Sequence, residues 1–153
     1  MKALEHKVPP PLIALLSAAM MWAIARAAPA IQIDSTVRFA LVAILATIGG
    51  IFAFSGFSAF ARAKTTVNPI DIEAASALVT TGIFRYTRNP MYLALTMLLL
   101  AFAAYLAVPW ALLGPLAFVL YITRFQIIPE ERVLLAKFGA AYTDYQGQVR
   151  RWL

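Results

Sequence analysis

Two short blocks hold the residues whose types and spacing could do chemistry. The first, residues 80–92, carries Arg85, Arg88 and Asn89 with Pro90, Tyr86 and Tyr92. The second, residues 129–152, carries Glu130 and Glu131, then Tyr142 and Tyr145, then Arg150, Arg151 and Trp152. Two guanidinium groups can clamp a carboxylate or a phosphate. Adjacent carboxylates can accept hydrogen bonds from ribose hydroxyls or from an amino group. Tyrosine and tryptophan rings can cover an adenine or shield a sulfonium by cation–π contact. Together these groups suit a zwitterionic, nucleoside-bearing cofactor. Each also has a plainer use. Arg and Tyr at span ends anchor ordinary membrane helices. Glu130 and Glu131 complement a helix N-terminus, a tyrosine stripe packs a core, and Arg124 near a span end can snorkel.

Other chemistries are excluded by count. There are no cysteines, which removes disulfides, thiolate metal sites and cysteine nucleophiles. The one histidine, His6, sits between Glu5 and Lys7 in the N-terminal tail, so no histidine cluster can hold iron and no metal site is expected.

The elements that must position both blocks are apolar helices. Of 153 residues, 62% are hydrophobic and 13% charged, far from the roughly one-quarter charged residues of a soluble domain. One integral membrane domain of helices is expected. A first span covers about 12–27, after Pro9-Pro10-Pro11. A second covers about 38–61, where no charge falls between Phe39 and Ala61 and where Gly49, Gly50 and Gly56 permit close helix contact. From Asn89 to Thr123 there is again no charge. One straight helix of that length would run roughly 50 Å, well beyond a bilayer core of about 30 Å. Two spans fit better, about 91–107 and 109–127, turning near Val108-Pro109. Gly114-Pro115 then kinks the last span or is itself the turn.

Charge decides between three spans and four. With four, the tail, the polar connection 62–90 and the C-terminal region share one side, and of the thirteen basic residues only Arg26 and Arg38 fall near the other. That asymmetry is what the positive-inside rule predicts, so both termini are expected in the cytoplasm. The net charge of +6 thus reports topology; with no basic stripe, nucleic acid is not an expected partner. Within the polar connection, Asn68-Pro69 marks a turn. Beyond the last span, Pro129-Glu130-Glu131 opens a helix. Leu134, Phe138, Tyr142, Tyr145 and Val149 then recur at three- and four-residue spacing, the apolar-aromatic face of one amphipathic helix that Gly139 weakens a little. The topology places both chemical blocks on one side of the membrane.

Thr81-Gly82-Ile83-Phe84-Arg85-Tyr86-Thr87-Arg88-Asn89-Pro90-Met91-Tyr92 resembles the signature of the isoprenylcysteine carboxyl methyltransferase family, in which Gly and an aromatic precede Arg-His/Asn-Pro-x-Tyr. Glu130-Glu131-Arg132-Val133-Leu134, then Phe138-Gly139-Ala140-Ala141-Tyr142-Thr143-Asp144-Tyr145 and Val149-Arg150-Arg151-Trp152, resemble that family's second block. The resemblance covers about residues 64–152. It implies a membrane-embedded methyltransferase that uses S-adenosylmethionine, with both blocks folded over the cofactor at the cytoplasmic face and a lipophilic or lipidated acceptor arriving from the bilayer. By the same resemblance, Arg85, Arg88, Asn89, Pro90, Tyr92, Glu130, Glu131 and Tyr142 would line the cofactor site, with Arg88, Glu131 and Arg150 in catalytic roles and Arg150 or Arg151 serving the acceptor. Asn89 stands where the eukaryotic enzymes have His. An amide cannot titrate near neutrality, so no general base is available at this position. The compact form suggests a bacterial inner-membrane protein. Methyl transfer to a carboxylate asks for alignment rather than a strong base; a phospholipid amine would need Glu130 or Glu131 to take a proton. An NADPH-dependent membrane reductase, which shares a similar C-terminal hairpin, and a non-catalytic lipid-binding module are the alternatives.

Overall fold

The computed structural model describes residues 7–63 and 77–153, and every regular element among them is helical. The tail histidine His6 and the turn expected at Asn68-Pro69 lie outside the described residues.

Helix α1 spans Pro10–Ala27, opening on prolines that fit a first turn because its N–H groups have no partner to lose. Helix α2 spans Ser35–Ala63. Asp34 caps it, its Oδ1 accepting the N–H groups of Thr36 at 2.9 Å and Val37 at 3.2 Å. A 3-10 turn at Gly82–Arg85 leads to α3, Pro90–Leu106. Ala107, in the left-handed region at φ 52°, ends α3 and reverses the chain. A 3-10 turn at Pro109–Leu112 then runs into α4 (Leu113–Ile122), a π-helical turn at Thr123–Ile127 and α5 (Ile128–Phe138), forming one continuous rod. Helix α6, Ala140–Gln148, follows.

Three of these helical stretches are long and apolar enough to cross a membrane: Pro10–Ala27, Ser35–Ala63 and Pro109–Phe138. Helix α3 is equally apolar but has 17 residues. Their outward faces carry Leu15, Phe54 and Leu120 in exposed positions, the arrangement of helices solvated by lipid rather than water.

Helix α2 packs along α3, and α1 packs on both α3 and α4. Small residues set these distances. A Cβ on Gly49 would sit 3.1 Å from the Ala94 carbonyl oxygen and 3.3 Å from the Met97 Cβ, and one on Gly56 would touch Met91 at 3.4 Å. Gly50 faces open space, so of the three glycines expected at a contact it makes none. Gly114 lies within α4 rather than at the turn: a Cβ there would overlap the Met21 side chain, and the residue is small because α1 crosses at that point.

The C-terminal stripe also differs from expectation. It is carried by two helices, because Gly139 takes φ 52° and ψ −125°, a conformation open to glycine and strained for other residues. The break turns Tyr142, Tyr145 and Val149 inward, where they form a small core with Ala59, Val79 and Phe84. The larger core lies between α1, α3 and α4, around Met21, Leu99, Phe118 and Ile122. At one end of the bundle the Ile31 N–H donates to the Ala107 carbonyl at 2.8 Å, tying the α1–α2 loop to the α3–α4 turn. Both chemical blocks lie at the other end.

Candidate functional site

At that other end a cavity of about 610 Å³ opens among the start of α1, the second half of α2, α3 and the two C-terminal helices. Arg88, Asn89, Tyr92, Glu130, Glu131 and Tyr142 all line it, with Pro90 beside them. The remaining wall is apolar. It reaches Leu98, two turns along α3 from Pro90 and so about 12 Å into the bundle, and includes Ala53, Phe57 and Phe60 on one face of α2 and Pro9 to Pro11 at the start of α1.

The first block is shaped by its own backbone. Gly82 takes φ 62° and opens the 3-10 turn, which buries Phe84 edge-on against Phe60 with ring centroids 5.2 Å apart. The Phe84 carbonyl accepts the Tyr145 hydroxyl at 2.7 Å, joining the two blocks. Thr87 is buried, its hydroxyl accepting the Asn89 N–H at 3.2 Å. Asn89 occupies the N-cap position of α3, yet its side chain caps nothing. Its amide donates instead to the Arg151 carbonyl at 2.9 Å, while the Arg88 N–H donates to the Arg150 carbonyl at 3.0 Å. The C-terminal strand of chain is thereby laid across residues 87–89.

Charge is concentrated on Glu131. Arg151 holds it with two hydrogen bonds, Nε to Oε1 at 2.9 Å and Nη2 to Oε2 at 2.7 Å. The hydrogen bonds to Glu131 raise the Arg151 pKa, with burial acting the other way. Arg88 Nη1 lies 3.1 Å from Glu131 Oε1. This is an ion pair by distance, but the angle makes no hydrogen bond, so Arg88 Nε and Nη1 are both buried without an acceptor among the described residues. Buried guanidinium donors normally have partners. Two orphaned N–H groups facing a cavity are a donor set for an anionic ligand group such as a carboxylate. Glu130 is engaged separately, accepting the Tyr92 hydroxyl through a short hydrogen bond and the Gln126 amide at 2.7 Å. Burial raises the Tyr142 pKa, with nearby Glu131 adding to it, so its hydroxyl stays a neutral donor beside Arg88.

Of the nine residues given cofactor or catalytic roles from the sequence, the structure brings seven to this cavity and leaves two outside it. Arg85 is exposed on the far side of the 3-10 turn. Arg150 supplies only its carbonyl, its side chain lying exposed, and it is Arg151 that grips Glu131. Tyr86 is likewise turned outward, and Trp152 packs against the larger core. Three contributors were not legible beforehand. Gln126 lies buried in the π turn and meets Glu130 four residues on, the ordinary neighbour spacing of a helix face. Thr87 and the Phe84 carbonyl act through backbone geometry that residue type does not disclose.

A bundle of apolar helices long enough to cross a membrane, with a charged pocket at one end, is the arrangement of an integral membrane protein. Residues 37–141 match the family profile described as phospholipid methyltransferase, and the chain belongs to that family of membrane methyltransferases. A protein of Haemophilus influenzae described as uncharacterized is 48% identical over 63 residues, which are 41% of this chain and all of that protein. No solved structure matches.

Proposed function

We propose that the protein is an S-adenosylmethionine-dependent methyltransferase of the isoprenylcysteine carboxyl type, acting on a lipophilic carboxylate that reaches the cavity from the membrane. The observation that carries this reading is Arg88, whose Nε and Nη1 lie buried and without hydrogen-bond acceptors among the described residues, at the charged end of a cavity with apolar walls. When bound, S-adenosylmethionine supplies a methyl group on a sulfonium for in-line displacement. Arg88 would hold the cofactor carboxylate, Glu130 and the Tyr142 hydroxyl its polar groups, and Asn89, Pro90 and Tyr92 would close the pocket. Glu131 fixes Arg88 and the C-terminal segment in place. The apolar wall from Phe57 to Leu98 accommodates the acceptor's hydrocarbon and keeps water from the reacting atoms. In this reading α3 is the fourth crossing, and the cavity and both termini face the cytoplasm of a bacterial inner membrane.

A carboxylate acceptor suits the inventory because it arrives ready to attack. Glu131 is occupied by two arginines and Glu130 by Tyr92 and Gln126, which leaves no free carboxylate among the described residues of the cavity. The family description favours a second reading, methylation of a phospholipid amine, with Glu130 taking the proton. Membranes containing the protein, incubated with methyl-labelled S-adenosylmethionine, separate the two. A carboxyl methyl ester releases its label as methanol in alkali, whereas an N-methylated lipid keeps it. Absence of label from every lipophilic fraction, together with no binding of S-adenosylhomocysteine, would refute both.

A further inference from the structure

We propose that the end of the bundle opposite the cavity carries a binding site for the phosphate of an anionic phospholipid. Arg26, in the last turn of α1, and Arg38, near the start of α2, line one cleft of about 330 Å³ with Trp22, Phe39 and Tyr105. The Arg26 guanidinium lies 5.5 Å from the Trp22 ring centroid and that of Arg38 lies 5.0 Å from the Phe39 centroid. Stacking fixes the plane of each fork and leaves its edge for an anion.

No carboxylate among the described residues pairs with either arginine. Asp34, the acid nearest in sequence, gives its oxygen to the Thr36 and Val37 N–H groups instead. Arg38 Nε is buried with no hydrogen-bond acceptor among the described residues. Two guanidiniums sharing a cleft repel each other, and an anion between them removes that repulsion while supplying acceptors. The position selects a lipid. Trp22, Phe39 and Tyr105 are all exposed at the level where the helices end, the depth at which aromatic side chains border lipid headgroups. Two cations without an anion favour a headgroup of net negative charge over a zwitterionic one. The site is independent of the methyltransferase reading and shares no residue with the cavity.

Native mass spectrometry of the full chain in neutral detergent, titrated with phosphatidylglycerol or phosphatidylcholine, tests this. The wild-type protein is expected to retain phosphatidylglycerol preferentially, and Arg26→Gln with Arg38→Gln to weaken that retention by about tenfold, with S-adenosylhomocysteine binding unchanged. Arg26→Lys with Arg38→Lys keeps both charges and apolar stems and serves where the glutamine pair fails to fold; lacking the fork, it should lose affinity several-fold. Unchanged lipid preference in either pair overturns the proposal. So does stabilisation of the wild-type protein by inorganic phosphate as strong as that by phosphatidylglycerol.

Discussion

Replacing Glu131 by glutamine keeps the shape of the side chain and removes the charge that two arginines share. The consequences for those arginines are unequal. The Arg88 side chain is 11% exposed and Glu131 is 13% exposed, so water cannot replace the lost anion around Arg88. Arg151 is 36% exposed and recovers hydration. Removing one member of a buried pair costs about 3–5 kcal/mol, because the other charge is left without compensation. The Arg151 arm, being partly solvated, adds about 0–1 kcal/mol. The whole change is therefore dominated by Arg88, and at 2–4 °C per kcal/mol for a chain of this size it lowers the melting temperature by roughly 10 °C. The same reasoning requires that Arg88→Met, combined with Glu131→Gln, restores most of the loss, since the stranded charge is gone. Thermal unfolding in detergent micelles, followed by far-UV circular dichroism, reads both variants. A Glu131→Gln shift below about 2 °C, or a double variant less stable than the sum of the single changes, would refute the assignment of the buried charge to Arg88.

The α2–α3 contact predicts opposite outcomes at adjacent glycines. Gly49→Ala pushes a methyl into the Ala94 carbonyl and Met97 and should cost about 1–3 kcal/mol, whereas Gly50→Ala meets nothing and should be neutral or stabilising by up to about 1 kcal/mol; equal melting temperatures for the two would contradict the packing. Gly114→Ala should destabilise through its overlap with Met21, and Met21→Ala in the same chain should recover part of the loss by making room, which the same melting curves would show. Tyr145→Phe leaves the Phe84 carbonyl without its donor and should cost about 1 kcal/mol. Burial raises the Tyr145 pKa above its ordinary value, so the unfolded chain ionises first; stability is intact below pH of about 10 and falls as pH rises beyond it. Tyr145→Phe should flatten that alkaline decline, and an unchanged decline counts against the buried hydroxyl. Asn89→Ala removes the amide that holds the Arg151 carbonyl and should speed hydrogen exchange in residues 149–153 with little change elsewhere.

What the sequence disclosed and what it withheld divide along a physical line. Charge and hydropathy act over whole helices, so the uncharged run 39–61 and the asymmetry of basic residues were enough to place α1, α2 and the rod after Pro109, and to bring Arg88 and Glu131 to one end. The spacing of Leu134, Phe138, Tyr142 and Tyr145 was legible for the same reason, as a periodic pattern. A single backbone angle is not periodic. Gly139 reads as a weak helix residue by propensity, but at φ 52° it breaks the stripe into two helices and turns Tyr142 and Tyr145 inward. The π turn at Thr123–Ile127 is equally silent in residue type. Arg150 and Arg151 are indistinguishable as neighbours in a basic ending. The fold separates them: the Arg88 N–H donates to the Arg150 carbonyl while the Arg150 side chain stays exposed, and Arg151 grips Glu131. The tail is held through its own carbonyls, those of Arg150 and Arg151, which accept from the Arg88 N–H and the Asn89 amide. The Arg151 side chain then adds its two hydrogen bonds to Glu131 to that backbone hold, so the segment is fixed by both.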